Sequence, residues 1–192
     1  MRHLILASTS RYRRELLNRL GLPFETRAPN VDESAIPGEP PDRMAARLAT
    51  AKAHSIRAPG TLVIGSDQVA SLDGRLLRKP GGHAIALGQL EDCQGKTVVF
   101  DTAVTVVDGD SGKSWAHIDR TLVRFARLPK EALDRYLARE QPYDTAGSFK
   151  AEGLGVALFE QIESVDPTAL IGLPLIWLAA TLRAAGADPL AA

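Results

Sequence analysis

The sequence is short of several things, and each shortage closes a class of function. Cysteine occurs once, at Cys93, so no disulfide can form within the chain, which fits a reducing compartment. The neighbours Glu91 and Asp92 would raise a thiol's pKa, so a buried, unreactive cysteine is expected rather than a nucleophile. The four histidines are scattered and no cysteines pair, which leaves no zinc pattern. Net charge is absent as well: 23 Lys+Arg balance 23 Asp+Glu. A protein that grips a nucleic-acid backbone carries a net basic face, so no nucleic-acid partner is expected. No apolar run approaches the ~20 residues that cross a bilayer, so no membrane partner is expected either. The run in Met1–Ala7 is too short for a signal peptide, and the expected location is the cytoplasm. A GxxxxGK[ST] loop is missing, which excludes a P-loop ATPase. No internal repeat or low-complexity linker interrupts the chain, and its 192 residues are enough for one core. Residues 1–192 are therefore expected as one domain of two lobes sharing a sheet.

What is present reads as strands alternating with helices. Leu4–Ala7 is a short buried strand, and Ser8-Thr9-Ser10 offers capping hydroxyls to a helix with Leu16, Leu17 and Leu20 on one face. Extended chain follows at Phe24–Ala28, then a Pro- and Gly-rich loop over 34–41. A helix from Pro41 to Ser55 turns Met44, Ala45, Leu48 and Ala49 inward. Thr61–Ile64 is a strong strand that ends by delivering Gly65-Ser66-Asp67. Asp73-Gly74 is a hairpin turn between Val69–Leu72 and Arg75–Leu77. A helix over Ala84–Glu91 precedes two β-rich runs, Thr97–Val107 and Trp115–Phe125, joined by a turn over 108–112. The rest is a helix at Pro129–Glu140, a strand at Val156–Ile162 and a last helix opened by Pro174. This is an α/β protein with a mixed sheet and a hairpin-rich middle.

Three stretches carry chemistry. Ser8-Thr9-Ser10 with Arg13 lies between a strand and a helix, where unpaired backbone N–H groups, two hydroxyls and a guanidinium fork could hold an anion. An ordinary N-cap followed by a solvated basic face explains the same residues. Asp67, delivered by an apolar strand, could be a general base or a metal ligand, or it could cap a turn. Asp32-Glu33 could add oxygens to a Mg²⁺ whose other ligands are phosphates, or be a solvated acidic pair. Lys52 and Lys79 would be counter-charges for a polyphosphate, although Lys52, on the edge of an apolar stripe, could equally snorkel to water. The third stretch, Ala146-Gly147-Ser148-Phe149-Lys150-Ala151-Glu152-Gly153, sets a carboxylate among glycines that leave room for a ligand.

In order and spacing these blocks closely resemble the Maf family of nucleoside triphosphate pyrophosphatases over almost the whole chain. The matching stretches are Ala7-Ser8-Thr9-Ser10 with Arg13 and Glu15-Leu16-Leu17, Val31-Asp32-Glu33, Ala51-Lys52-Ala53, Gly65-Ser66-Asp67 and Lys79-Pro80. The resemblance implies an α/β fold, a twisted sheet with an active-site cleft between two lobes. It implies hydrolysis between the α- and β-phosphates of a nucleotide, with a divalent cation, Mg²⁺ or Mn²⁺, as cofactor. Carried over by position, Asp67 is the proton acceptor and Ser8, Ser10, Arg13, Lys52 and Lys79 are phosphate-binding. Glu33 and Asp67 hold the metal. Tyr12, Gln68 and Glu152 fall at the positions that select the base. The branch acting on dTTP and UTP has Arg, Thr and Gln there. This chain instead resembles the branch acting on N7-methyl-GTP, also through its late block Asp166-Pro167-Thr168-Ala169-Leu170-Ile171-Gly172-Leu173-Pro174.

The chemistry is consistent with that branch. Guanine presents two adjacent donors that one carboxylate can accept, and N7 methylation makes the ring cationic, which favours both Glu152 and the face of Tyr12. Arg11 departs from the family, which has proline there, and could loosen the loop or add a phosphate contact. A preference for another base, or a nucleotide-binding regulator of septum formation that works without turnover, are the competing readings. Asp67 with both lysines argues against the latter, since binding alone needs no base. The resemblance makes a homodimer the assembly to expect.

Overall fold

The computed structural model describes residues 2–56 and 58–191. Among them seven strands form one mixed sheet in the order β2-β1-β3-β5-β6-β7, with β4 paired to β3. The strands β1 (His3–Ala7), β2 (Phe24–Arg27) and β3 (Thr61–Leu72) are joined in parallel, with β1 in the middle. Parallel neighbours need crossover connections; α1 (Arg11–Asn18) and α2 (Pro41–His54) supply them. Beyond β3 the sheet turns antiparallel through β5 (Thr97–Asp108), β6 (Ser114–Phe125) and β7 (Phe159–Glu163). The short β4 (Arg75–Leu77) returns on β3 through Asp73 and Gly74, with φ of 50° and 78°, the two left-handed residues that a tight hairpin requires. The remaining helices are α3 (His83–Cys93), α4 (Lys130–Glu140) and α5 (Leu175–Ala184). No helix of the described residues is long and apolar enough to cross a membrane.

Two apolar clusters sit at opposite ends of the long strands. One gathers Leu62 and Ile64 of β3 with Val104 and Val106 of β5, under α1 and α5. The other gathers Ala70 and Leu72 of β3 with Val98 and Phe100 of β5, under α3 and α4. Between them β3 carries Ser66, Asp67 and Gln68, and β5 carries Asp101 and Thr102. Polar residues in the centre of two otherwise apolar strands cost burial energy unless they are satisfied, so this waist is where function is to be sought.

Several boundaries differ from the sequence reading. Asp67 does not end a strand: β3 runs unbroken from Thr61 to Leu72, and Asp67 pairs with Ala103 in mid-ladder. The strand expected at Val156–Ile162 begins only at Phe159, because Leu154–Leu158 is a 3₁₀ turn. Gly155 permits the turn, since a Cβ there would meet the Lys150 carbonyl oxygen at 2.3 Å, an approach open only to glycine. Cys93 is buried, and its thiol is pushed up to about 12 by that burial first and by Asp92 second.

Candidate active site

The sequence-designated residues Ser8, Ser10, Tyr12, Arg13, Glu33, Lys52, Asp67, Gln68, Lys79 and Glu152 all line one cleft of about 840 Å³ across the waist.

Its floor is set by a close approach. A Cβ on Gly65 would lie 2.3 Å from the Ala49 carbonyl oxygen and 2.4 Å from the Ala53 nitrogen. Only glycine lets α2 lie that near β3. The seat of α2 brings Lys52, three residues beyond Ala49, over Asp67. Lys52 is 5% exposed and does not snorkel to water. Its Nζ donates to Asp67 Oδ1 at 2.6 Å and meets Glu33 Oε1 at 2.9 Å. A buried ammonium is costly without partners, and here two carboxylates converge on it. The loop that brings Glu33 in is fastened to α2 by Arg47, which donates to both oxygens of Glu39 at 2.7 Å and to the Ser34 carbonyl at 3.2 Å.

The stretch from Ser8 to Arg13 forms one wall. Ser10 is the N-cap of α1, its hydroxyl accepting the Arg13 N–H at 3.4 Å, and the buried Ser8 hydroxyl accepts the Ser10 N–H at 3.1 Å. The capping reading and the cleft position are thus both true of these serines. Arg13 donates through Nε to the Gly172 carbonyl at 2.9 Å, which aims the guanidinium across the cleft. Burial pulls that guanidinium below its usual range, and the charges of Asp67 and Glu33 work against the shift.

The segment 166–174 braces the opposite side. Asp166 accepts the Thr168 N–H, the Thr168 hydroxyl and the Ile176 N–H at the start of α5, at 2.9, 2.6 and 2.6 Å. So fixed, the segment turns its carbonyls inward. Gly172 O takes Arg13 and also the Ser66 hydroxyl at 3.0 Å, while Ala169 O and Leu170 O each accept from Gln68 Nε2 at 3.0 Å. Thr102 gives Gln68 a third contact at 2.9 Å. Gln68 therefore ties strand to segment and leaves only its side-chain oxygen free of these contacts.

Lys79 and Glu152 sit on loops. Lys79 is exposed on the chain between β4 and α3. Glu152 is exposed, and Lys150 is not its partner, because Lys150 Nζ donates to the Glu140 carbonyl at 3.1 Å. The glycines around Glu152 do not make room for a ligand. A Cβ on Gly153 would meet the Glu140 carboxylate at 3.0 Å, and one on Gly147 the Phe100 ring at 3.3 Å. They permit the loop to pack. Phe149 anchors it, edge-on to Phe100, Phe125 and Phe159 at 5.3, 5.6 and 4.8 Å between centroids. Each such contact is worth about 0.5–1.5 kcal/mol beyond area burial. Arg11, in place of the expected proline, stacks on Tyr12 with its guanidinium carbon 5.0 Å from the ring centroid.

Glu33 and Asp67 are the oxygen donors that could hold a divalent cation. Among the described residues no three His, Cys, Asp or Glu side chains converge on one point. Two hard carboxylates fit Mg²⁺ or Mn²⁺ only if substrate phosphates and water complete the shell, the usual arrangement for a phosphate-bound Mg²⁺. Sequence reasoning missed Arg78 and Asp144 on the cleft wall, although Arg78 adjoins Lys79 and Asp144 lies two residues before the 146–153 block. The carbonyls of 169, 170 and 172 carry no side-chain signal at all.

A family model described as Maf-like protein matches residues 3–185. The chain belongs to the Maf family. Within it, a protein of Ralstonia nicotianae named 7-methyl-GTP pyrophosphatase is 57% identical over 182 residues, 94% of each chain. One of the same name from Albidiferax ferrireducens is 52% identical over the whole of this chain and 97% of its own. The solved structure of the Staphylococcus aureus Ham1 protein superposes with a TM-score of 0.53 at 14% identity, covering 95% of this chain and 99% of that one. At that identity the likeness concerns the fold alone. The Maf fold here is thus a mixed sheet whose cleft lies across the middle of β3.

Proposed function

We propose that this Maf protein is a nucleoside triphosphate pyrophosphatase that cleaves the α–β anhydride of N7-methyl-GTP, giving N7-methyl-GMP and pyrophosphate. The observation that carries the reading is the polarity of the cleft. Arg13 stands in the field of the Asp67 and Glu33 carboxylates that hold Lys52, whereas Tyr12 stands in that of Glu152 and Asp144. Relatives more than half identical over nearly full length bear the name of this activity.

In this reading the triphosphate lies against Ser8, Ser10 and Arg13, which line the cleft, and against Lys79. Phosphate oxygens compete with Asp67 for the Lys52 ammonium. As Lys52 turns to them, Asp67 Oδ1 is left to accept a proton from water. The water oxygen bonds to phosphorus as the bridging P–O bond breaks, and pyrophosphate departs with that bond's electrons. Preorganised positive charge around a transferring phosphoryl group is the expected source of most of the acceleration. A Mg²⁺ or Mn²⁺ held by Glu33 and Asp67 with the phosphates would add neutralising charge there. At the base end, Glu152 accepts from the two guanine donors and gains from the cationic ring.

Pyrophosphate release from N7-methyl-GTP, GTP, UTP and dTTP tests the reading. The expected result is the highest kcat/KM with N7-methyl-GTP. A maximum with UTP or dTTP would move the protein to another branch, and no release from any of them would favour the regulator that binds without turnover.

A further inference from the structure

Asp144 faces the same cleft and has no part in the chemistry above. It stands on a turn held from several directions. The Tyr143 carbonyl accepts the Gly81 N–H at 3.0 Å, the Tyr143 hydroxyl meets His83 Nδ1 at 3.1 Å, and the Thr145 hydroxyl donates to the Pro142 carbonyl at 2.9 Å. The Asp144 side chain is exposed, and the ion pairs among the described residues include neither it nor Glu152. Both carboxylates reach Tyr12 electrostatically. The phenol is pushed up by its own burial, next by Asp144 and also by Glu152, while Arg11 works against the shift. On that ring lies the guanidinium of Arg11, 5.0 Å from the centroid. A flat cation therefore already lies over an aromatic ring that both carboxylates act on.

We propose that Asp144 is a further specificity-determining residue. With Glu152 and the Tyr12 ring it forms a subsite for a flat cationic base, and Arg11 is the internal occupant of that subsite in the free protein. The inference rests on the reading of the base given above. Guanine and N7-methylguanine offer Glu152 the same two donors, so hydrogen bonding to that edge separates them poorly. Charge separates them. A carboxylate acting through space attracts the methylated ring and, for a neutral base, leaves only repulsion of the phosphates. Specificity of this kind is a difference between an attraction and a penalty. The aromatic face adds to it for a cation alone. Arg11, tethered beside the ring, competes for the same face until a nucleotide displaces it.

The test measures kcat/KM for N7-methyl-GTP and GTP with the wild-type protein and the variants Asp144→Asn, Asp144→Glu and Arg11→Ala. It also measures Kd for the phosphate-free nucleosides 7-methylguanosine and guanosine. Asp144→Asn should lower the N7-methyl-GTP to GTP ratio by roughly three- to ten-fold, mostly through KM, and Asp144→Glu should keep most of it. The nucleoside pair should shift in the same sense, which a merely structural role would not produce. Arg11→Ala should tighten 7-methylguanosine about two- to five-fold by freeing the ring. An unchanged ratio in Asp144→Asn, with the wild-type preference intact, overturns the role of Asp144 and leaves the proposed function standing. Weaker 7-methylguanosine binding by Arg11→Ala overturns the internal-occupant role. A wild-type protein indifferent to N7 methylation overturns both this subsite and the reading on which it rests.

Discussion

At one end of the cleft Lys52, Asp67 and Glu33 already hold one another at 2.6–2.9 Å, whereas at the other Asp144 and Glu152 are exposed and enter none of the ion pairs among the described residues. For Lys52 and Asp67 the difference follows from where each is mounted, and the exposed Glu33 joins them from a loop that Arg47 fastens to α2. Asp67 sits in the middle of a central strand and Lys52 on a helix seated directly on that strand, so both are nearly out of water and must be paired. Glu152 and Asp144 sit on loops, where water satisfies them until something displaces it. On the proposed function, one end is preorganised for a chemistry common to any triphosphate, and the other is left for a particular base to complete.

The comparison breaks most decisively if the paired end needs no metal. Excess chelator should reduce pyrophosphate release to background, with recovery on adding Mg²⁺ or Mn²⁺, because two carboxylates beside a triphosphate leave negative charge unbalanced. Full activity in chelator would mean that Arg13, Lys52 and Lys79 suffice, and the metal role of Glu33 would fall.

Asp67→Asn comes next. It keeps the size of the side chain and a contact for Lys52 but removes the proton acceptor. Turnover should fall by about 10²–10⁴, with nucleotide affinity held within roughly three-fold. A near-normal kcat in this variant would reassign Asp67 to structure. At the exposed end, Glu152→Gln puts a donor against a guanine donor. It should cost about ten- to a hundred-fold in kcat/KM with N7-methyl-GTP and much less with UTP. Equal losses on both would show that the exposed end does not read the base.

The smallest effect sharpens the mechanical side of the contrast. Gly65→Ala should destabilise the fold by about 1–3 kcal/mol in denaturant unfolding, because the new methyl must push α2 off β3. It should also lower kcat, by separating Lys52 from Asp67. Unchanged stability would mean that α2 is not seated as closely as the contacts at Ala49 and Ala53 imply.

Much of this was legible in the sequence, for identifiable reasons. The α/β alternation follows from apolar runs such as Leu4–Ala7 and Thr61–Ile64 set between amphipathic segments. The Asp73-Gly74 hairpin follows from residues that tolerate positive φ. The ten designated site residues share one cleft, and the blocks that contain them carried the family resemblance. Other features were not legible. Asp67 was expected to end a strand, since a carboxylate in mid-ladder looks prohibitive until Lys52 is known to lie above it. For Lys52, snorkelling to water stayed as good a reading as a phosphate counter-charge, because its partners are 15 and 19 positions away in the chain. The glycines around Glu152 suggested space for a ligand, and they proved to be sites of close packing.

The sequence by itself determined which elements form, which residue types stand at the site and which family the chain resembles. Those depend on local propensity, short-range periodicity and ordered motifs, all of which one strand of text records. Only the tertiary structure decided the charge pairing and the bracing of the cleft. Lys52 is matched to two carboxylates because Gly65 lets a helix down onto a strand, and Arg13, Ser66 and Gln68 are aimed by backbone carbonyls of 169–172. Carbonyls are present at every residue and are invisible as signals. Their direction is set by packing, and so is the contrast between a paired end and an exposed one.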